Sequence, residues 1–388
     1  MIPIAYNVRN LAVRKATTAA AAAGLGLVVF VFASVMMLAN GVKQATHRAV
    51  DPNGVIALRK GSSVEIESGL DESSVALLGA MPGVARSAAG QPLAVGELVV
   101  LVILDKREGG LSNVVIRGVP ENVLALRPSL RVKEGRAPRP GTNEVMVGSS
   151  IRPRIQGLDP GKVLEIRKNR PLQIVGVFED DSSSNESEIW GDLHVVQAAF
   201  AQQGTVSSVR VRLESPGAFD RFAAAVAATP QLHLNTWRES EFGDRQTQGT
   251  AIFLSGMGTL VALLFSIGAV IGAMITMHAT VEQRQREIGT LRAIGFTRTQ
   301  VLASFLLESI VLALVGGVFG AGASLLMSLK RISMMNVSTW SELSFKFEPT
   351  PGILLAAIAL AVVMGACGGL LPAVRTARIN PIQAMRGA

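Results

Sequence analysis

The sequence predicts an α-helical membrane protein with four transmembrane helices and one large α/β domain outside the cytoplasm. Three observations point there. Of 388 residues, 49% are hydrophobic and only 17% charged, too apolar for an ordinary soluble chain. Four apolar runs are each long enough, at about 1.5 Å per residue, to cross roughly 30 Å of hydrocarbon. Between the first and second runs, residues 43–250 have the texture of a soluble domain.

In chain order, residues 16–42 hold no charge and supply the first span of an N-terminal segment, 1–42. This run exceeds the roughly 7–15 apolar residues of a cleavable signal, so it reads as an anchor. Within the outer domain, 98–104, 114–118, 144–147 and 207–213 are β-branched or alternating stretches bounded by turn residues, and they read as strands. Residues 164–178 read as two strands joined by a polar turn at 168–171. Asp71 is placed to cap a helix ending near Met81, and 219–228 has helical spacing after Pro216 and Gly217. The Ser-rich stretch 180–188 reads as a loop outside the core. Because the chain leaves and re-enters the membrane at the two ends of this domain, its order predicts a membrane-proximal lobe with a distal lobe inserted at about 120–201. There follow a second span at 251–280, a cytoplasmic connection at 281–298, a third span at 299–329, an external loop at 330–350, a fourth span at 351–372 and a tail at 373–388.

Orientation follows from the basic residues beside the spans. Arg9, Arg14, Lys15, Arg284, Arg286, Arg292, Arg298, Arg375, Arg378 and Arg386 fall on one side. Lys330, Arg331 and Lys346 fall in the short loop on the other, so the Arg-rich side and both termini are expected in the cytoplasm. Topology explains the net charge of +8 better than nucleic acid does, because aromatics are only 5% and several basic residues flank apolar runs. Cys367 is the single cysteine and the four histidines are far apart in sequence, which argues against a disulfide or a metal site. No P-loop, GxSxG, HExxH or CxxC motif occurs. The outer carboxylates, among them Glu65, Glu67, Asp71, Glu72, Asp105, Glu179, Asp180 and Asp181, read as a solvated surface rather than a catalytic pair.

The connection VEQRQREIGTLRAIGF (281–296) is amphipathic. Ile288, Leu291 and Ile294 recur at helical spacing, while Arg284, Arg286, Glu287 and Arg292 occupy the rest. Gly289 and Gly295 disfavour a helix interior, so they mark close packing or a helix end. Glu308 lies about 10 Å into the third span and is expected to face other helices, where a carboxylate can be paired. Gly316, Gly317 and Gly320, and Gly268 with Gly272, have the spacing of close helix packing.

REIGTLRAIGF resembles the signature that follows the second transmembrane helix in FtsX and MacB-like permeases of type VII ABC transporters. GLLPAVRTARINPIQAMRG (369–387) is similar to that family's closing motif, carried here by Pro372, Ala373, Ala377, Pro381, Ala384 and Arg386, with departures at Thr376 and Met385. FLLESIVLALVGGVFG (305–320) resembles its third helix, including the acidic residue at Glu308. VVIRGVPENVL and VKEGRAPRPGTNEVMVG resemble the periplasmic domain of its MacB and LolC-like members.

The resemblance implies a multi-pass permease of the bacterial inner membrane whose outer domain is periplasmic and of the MacB type. Residues 281–298 would form a coupling helix, with its coupling residues between Arg284 and Gly295, against an ABC ATPase subunit, which would hydrolyse ATP with Mg; no cofactor is expected in this chain. A second copy or paralogue, membrane lipid and a periplasmic adaptor are implied partners. The implied activity is mechanotransmission that exports or extracts a lipid, lipoprotein, peptide or hydrophobic compound. The alternative is an FtsX-like scaffold that regulates a periplasmic or cell-wall enzyme.

Overall fold

Helix propensity does not stop where hydrophobicity does, and this sets the helix limits in the computed structural model, which describes residues 15–48, 50–167, 170–336 and 339–377. Helix α1 (Lys15–His47) carries the first apolar run. Strands β1 (Gly54–Arg59) and β2 (Leu70–Asp71) precede α2 (Ser73–Gly79), β3 (Ala94–Asp105) and β4 (Leu111–Val119). Next come the short α3 (Val123–Leu126), β5 (Arg131–Gly135), β6 (Glu144–Gly148), β7 (Val163–Arg167), β8 (Arg170–Glu179) and β9 (Glu188–Asp192). This stretch closes with α4 (Leu193–Phe200), β10 (Thr205–Val206), β11 (Ser208–Arg212), α5 (Phe219–Ala227) and β12 (Leu234–Arg238). After it come α6 (Glu239–Gln283), α7 (Gln285–Ala293), α8 (Arg298–Leu325), β13 (Arg331–Met335), β14 (Glu342–Lys346) and α9 (Pro351–Ala377).

Four of these helices, α1, α6, α8 and α9, are long and apolar enough to cross a membrane. Helix α6 begins at Glu239, well before the apolar run that starts at residue 251. Its first turn holds Glu239 and Glu241, favourable at a helix N-terminus, and Phe242 is buried beside Ile56 and Leu58. At 45 residues it is about 68 Å long, roughly twice a bilayer core. Helix α9 also runs past residue 371, through Pro372.

The chain divides into two compact units. The helical unit (Met1–Asn40, Ile252–Lys330 and Phe347–Ala388) is held by small residues. A Cβ added at Gly320 would overlap the Gly26 carbonyl oxygen, and one at Gly316 that of Ala22, so α1 and α8 touch backbone to backbone. Gly317 meets Ala361, and Gly365 and Gly369 meet Ala313 and Ser309, which joins α8 to α9 in the same way. Leu25, Val29 and Ala33 fill in around these contacts with Ala313, Ala357 and Met364. Gly320→Ala is therefore expected to cost about 1–3 kcal/mol in the full-length protein, whereas Gly322→Ala, whose Cβ would meet nothing, should be neutral. Thermal melts in detergent check the pair; equal melts would overturn the assigned contact.

The second unit (Gly41–Ala251 with Arg331–Lys346) is built on one ten-stranded sheet of order β12-β1-β11-β3-β4-β9-β6-β8-β5, with β7 paired to β8. The strands expected at 98–104, 114–118, 144–147, 164–178 and 207–213 are present. The segments expected to form two lobes share this sheet, because the long antiparallel pair β3–β4 continues through the parallel β4–β9 pairing into the rest. A core cluster including Val55, Leu98, Ile116, Val147, Ile174 and Phe222 packs on it, and Val119, Met146, Phe178 and Trp190 belong to a separate cluster.

Two expectations are corrected. Residues 330–350 are not a plain loop, since β13 and β14 pair as an antiparallel hairpin within the second unit. The stretch 180–188 is not outside the core: Asp180, Ser183, Asn185, Glu186, Ser187 and Glu188 are buried. Its polarity is satisfied locally. Asp180 accepts from Ser129, Ser183 and Asn185, and Glu186 accepts from the Asp180 and Ser182 backbone N–H groups and from the Ser149 and Ser150 hydroxyls.

Candidate functional site

Arg284 breaks the helix between α6 and α7, with φ −110° and ψ 16°. Its buried guanidinium donates to Glu308 on α8 at 3.2 Å and, through Nε, to Glu287 on α7 at 3.0 Å. It also lies over the Phe305 ring, 5.5 Å from the centroid. Glu308 thus faces inward and is paired, with an arginine from the α6–α7 junction. Beneath it, Ile288 is buried against Met277, Val281, Val301, Phe305 and Ala373. Gly289 is buried as well. Gly295 follows α7 at φ +109°, a conformation that favours glycine, and Thr297 with Gln300 forms a capping box at the start of α8.

This geometry splits the expected apolar stripe. Ile288 and Arg284 face the helical unit's own core and are anchors rather than docking residues, because at 1% exposure Ile288 has no surface to offer. Arg286 and Glu287 are exposed, Leu291 and Arg292 are half-buried, and Ile294 is 72% exposed. Of the C-terminal motif, Pro372 and Ala373 are buried in α9 and Ala377 is its last residue. Pro381, Ala384 and Arg386, together with Arg9, Arg14 and Arg378, lie outside the described residues. Gly316, Gly317 and Gly320 pack as described above. Gly268 and Gly272 do not: with Ala20, Gly24 and Phe265 they line an open apolar groove.

The second unit holds a cluster that the solvated-surface reading missed. On one face of adjacent strands, Glu97 (β3), Arg117 (β4), Glu188 (β9) and Arg210 (β11) converge with Glu65, Arg127 and Glu239. Arg117 donates to Glu188 at 2.7 and 2.8 Å, to Glu97 at 2.7 Å and to Glu65 at 3.0 Å. Arg210 bonds Glu97 at 3.0 Å and Glu239, the first residue of α6, at 2.7 Å. Burial alone would raise the pKa of Glu65, but Arg117 and Arg210 outweigh it and hold the group at about 2. Glu97, fully buried, is likewise held well below the usual range by Arg127, Arg210 and Arg117 against the cost of burial. Burial also opposes the charge of Arg117, yet Glu188 and Glu65 keep its pKa above the ordinary value. These groups border a chamber of about 110 Å³ between the sheet, the start of α6 and the β13–β14 hairpin. With every charge engaged by its neighbours, the cluster is suited to fixing strands and the α6 start in register rather than to acid–base chemistry.

A family model described as the MacB-like periplasmic core domain matches residues 18–229, and one described as the FtsX-like permease C-terminal matches 259–381. The macrolide export ATP-binding/permease protein MacB of Neisseria meningitidis is 28% identical over 238 residues, which cover 58% of this chain and 35% of that protein. The ABC transporter permease YknZ of Bacillus subtilis is 28% identical over 242 residues, covering 58% of this chain and 56% of that protein. The crystal structure of the periplasmic region of MacB from Actinobacillus actinomycetemcomitans aligns with 50% of this chain and 92% of that one, with 14% identity and a TM-score of 0.38. The matched region thus spans between 35% and 56% of the length of the two curated relatives.

Proposed function

The chain belongs to the family of FtsX-like permeases with a MacB-like periplasmic core domain, and from that premise we propose that it is the permease of an ABC-type assembly in the inner membrane. In this reading an ATPase docks on α7, and its ATP-driven motion reaches the outer domain. The outer domain then moves a lipid, lipoprotein, peptide or hydrophobic compound without passing it through the four helices. ATP binding is assigned to an ATPase outside this sequence, which holds no P-loop motif.

The observation that carries this reading is the two-sided character of α7. Ile288 and Arg284 fasten it to the helical unit, while Ile294 and Arg286 are exposed, Leu291 and Arg292 are half-exposed, and Glu287, bonded to Arg284, still faces solvent. Covering an isoleucine is worth roughly 1.5–3 kcal/mol, against at most about 1 kcal/mol for an exposed ion pair, so the apolar contacts dominate docking. Ile294→Asp and Leu291→Asp should each abolish co-purification of the ATPase and permease-linked ATP hydrolysis, and leave the melt of the permease unchanged. Glu287→Gln should weaken both much less. Wild-type co-purification in Ile294→Asp would remove α7 as the docking element.

Topology is tested in a Cys367→Ala background, with single cysteines at Glu108, exposed in the outer domain, and Arg286, exposed on α7. An impermeant maleimide should label position 108 in intact cells and position 286 only after permeabilisation. The reverse pattern would invert the assigned orientation. Ser183 is unsuited to such labelling, because it is 1% exposed.

A further inference from the structure

The segment between α8 and α9 is short, and it is gripped. Five residues, 326–330, separate Leu325 from β13, and four, 347–350, separate β14 from Pro351. At about 3.3–3.6 Å per extended residue there is little slack on either side. The hairpin itself belongs to the outer unit. Arg331 bonds the Ser150 hydroxyl, buried Glu186 at 3.2 Å and Ser182 at 3.2 Å. The Ser344 N–H donates to Ser187 at 3.0 Å, and Asn113 donates to the Trp340 carbonyl at 2.9 Å. Glu342 pairs with Arg154 and, at 3.6 Å, with Lys106, while Leu343 and Phe345 are buried.

The outer unit is therefore joined to the helices at three places along the chain: through α1, through α6 and through this hairpin. The third is the one continuous with α8, and α8 is also the helix to which Glu308 and Val301 fasten α7. We propose that the β13–β14 hairpin is a mechanical tie that carries movement of α8 and α9 to the outer domain, with Arg331 as its lock. The proposal rests on the permease reading above. It adds that force arriving at α7 enters α8 first and leaves through the hairpin, and does not travel by the long α6 alone.

The local chemistry makes the lock separable from the fold. Without Arg331, Glu186 keeps its four other donors at 2.7–3.0 Å, so Arg331→Met removes the hairpin's link to Ser150, Ser182 and Glu186 and strands no carboxylate. Asn113→Ala removes the Trp340 contact as well. The test uses the full-length permease with its co-purified ATPase in lipid nanodiscs. An environment-sensitive fluorophore on Glu108→Cys, in the Cys367→Ala background, reports ATP-dependent change in the outer domain.

Arg331→Met/Asn113→Ala should bind the ATPase as wild type does and show faster amide exchange at 331–346. Its ATP-dependent signal should fall about fivefold or more, with Arg331→Lys near wild type. A full-sized signal together with faster exchange at 331–346 would overturn the tie. Unchanged exchange at 331–346 would overturn Arg331 as the lock. If the wild-type chain itself binds no ATPase or gives no signal, the permease reading fails, a result distinct from either.

Discussion

Arg117→Met is expected to destabilise the outer domain by about 3–5 kcal/mol, because it leaves Glu65, Glu97 and Glu188 buried around a lost cation. A domain's whole stability is of order 5–15 kcal/mol, so limited proteolysis and thermal melts of the full-length protein should both register the change. The triple variant Arg117→Met/Glu65→Gln/Glu188→Gln should recover much of the loss, since neutral amides tolerate burial better than uncompensated carboxylates. The pH dependence has a definite sign. Glu65 has a folded pKa of about 2, below the unfolded value near 4.3, so its stabilisation is complete above that unfolded value. It is lost as pH falls from there towards 2, and Glu97, depressed for the same reason, follows the same direction. In Arg117→Met the burial cost meets less opposing charge, which moves the acid transition to higher pH. A variant with wild-type melting and an unmoved acid transition would mean that the cluster does not hold the sheet together.

Arg284→Met should be of similar size in the helical unit. It takes from Glu308, 4% exposed inside that unit, the guanidinium that neutralises it. Removing one partner of such a buried pair costs about 3–5 kcal/mol. The same substitution cuts the link from Arg284 to Glu287, so α7 should loosen as well as the helical packing. Expected results are a poor yield of monodisperse protein and rapid amide exchange across 285–293, with the outer domain still protease-resistant. Arg284→Met/Glu308→Met restores an apolar interior and should regain most of the yield while α7 stays more mobile than in wild type. If Arg284→Met alone exchanges slowly over 285–293, the apolar contacts of Ile288 hold α7 without the ion pair.

Several elements were legible because local pattern and tertiary environment agree. The four helices long enough to cross a membrane are apolar runs, and β3, β4 and β6 are apolar stretches whose burial matches their composition. The charge cluster was not. Glu97 and Arg117 each stand in a strand of apolar residues on an inward phase, in AVGELVVLVILD and LSNVVIRGV, and that is the only trace the sequence offers. Read singly, each is an ordinary charged residue; only strand order and register put Arg210, 93 positions after Arg117, beside the same Glu97. The 180–188 stretch misled for a related reason. Serine-rich composition signals a solvated loop unless tertiary structure supplies partners, and here Ser129, Ser149 and Ser150 do.

At α7, amphipathic spacing identified the element, but only packing could divide its apolar residues into an anchor, Ile288, and an exposed Ile294. Glu308 shows both halves of the division. A carboxylate inside a long apolar helix needs a partner, whatever the fold. That the partner is Arg284, 24 residues earlier, was decided by the turn between α6 and α7. By itself the sequence determined the four apolar helices, the strand-rich segment between the first two of them and the amphipathic connection, because hydrophobic burial and backbone hydrogen bonding act on local patterns of composition. Only the tertiary structure decided which charges meet, which glycines touch backbone and that residues 331–346 clasp the outer domain. Ion pairs and close packing depend on distances of a few ångströms between segments that the chain order leaves far apart.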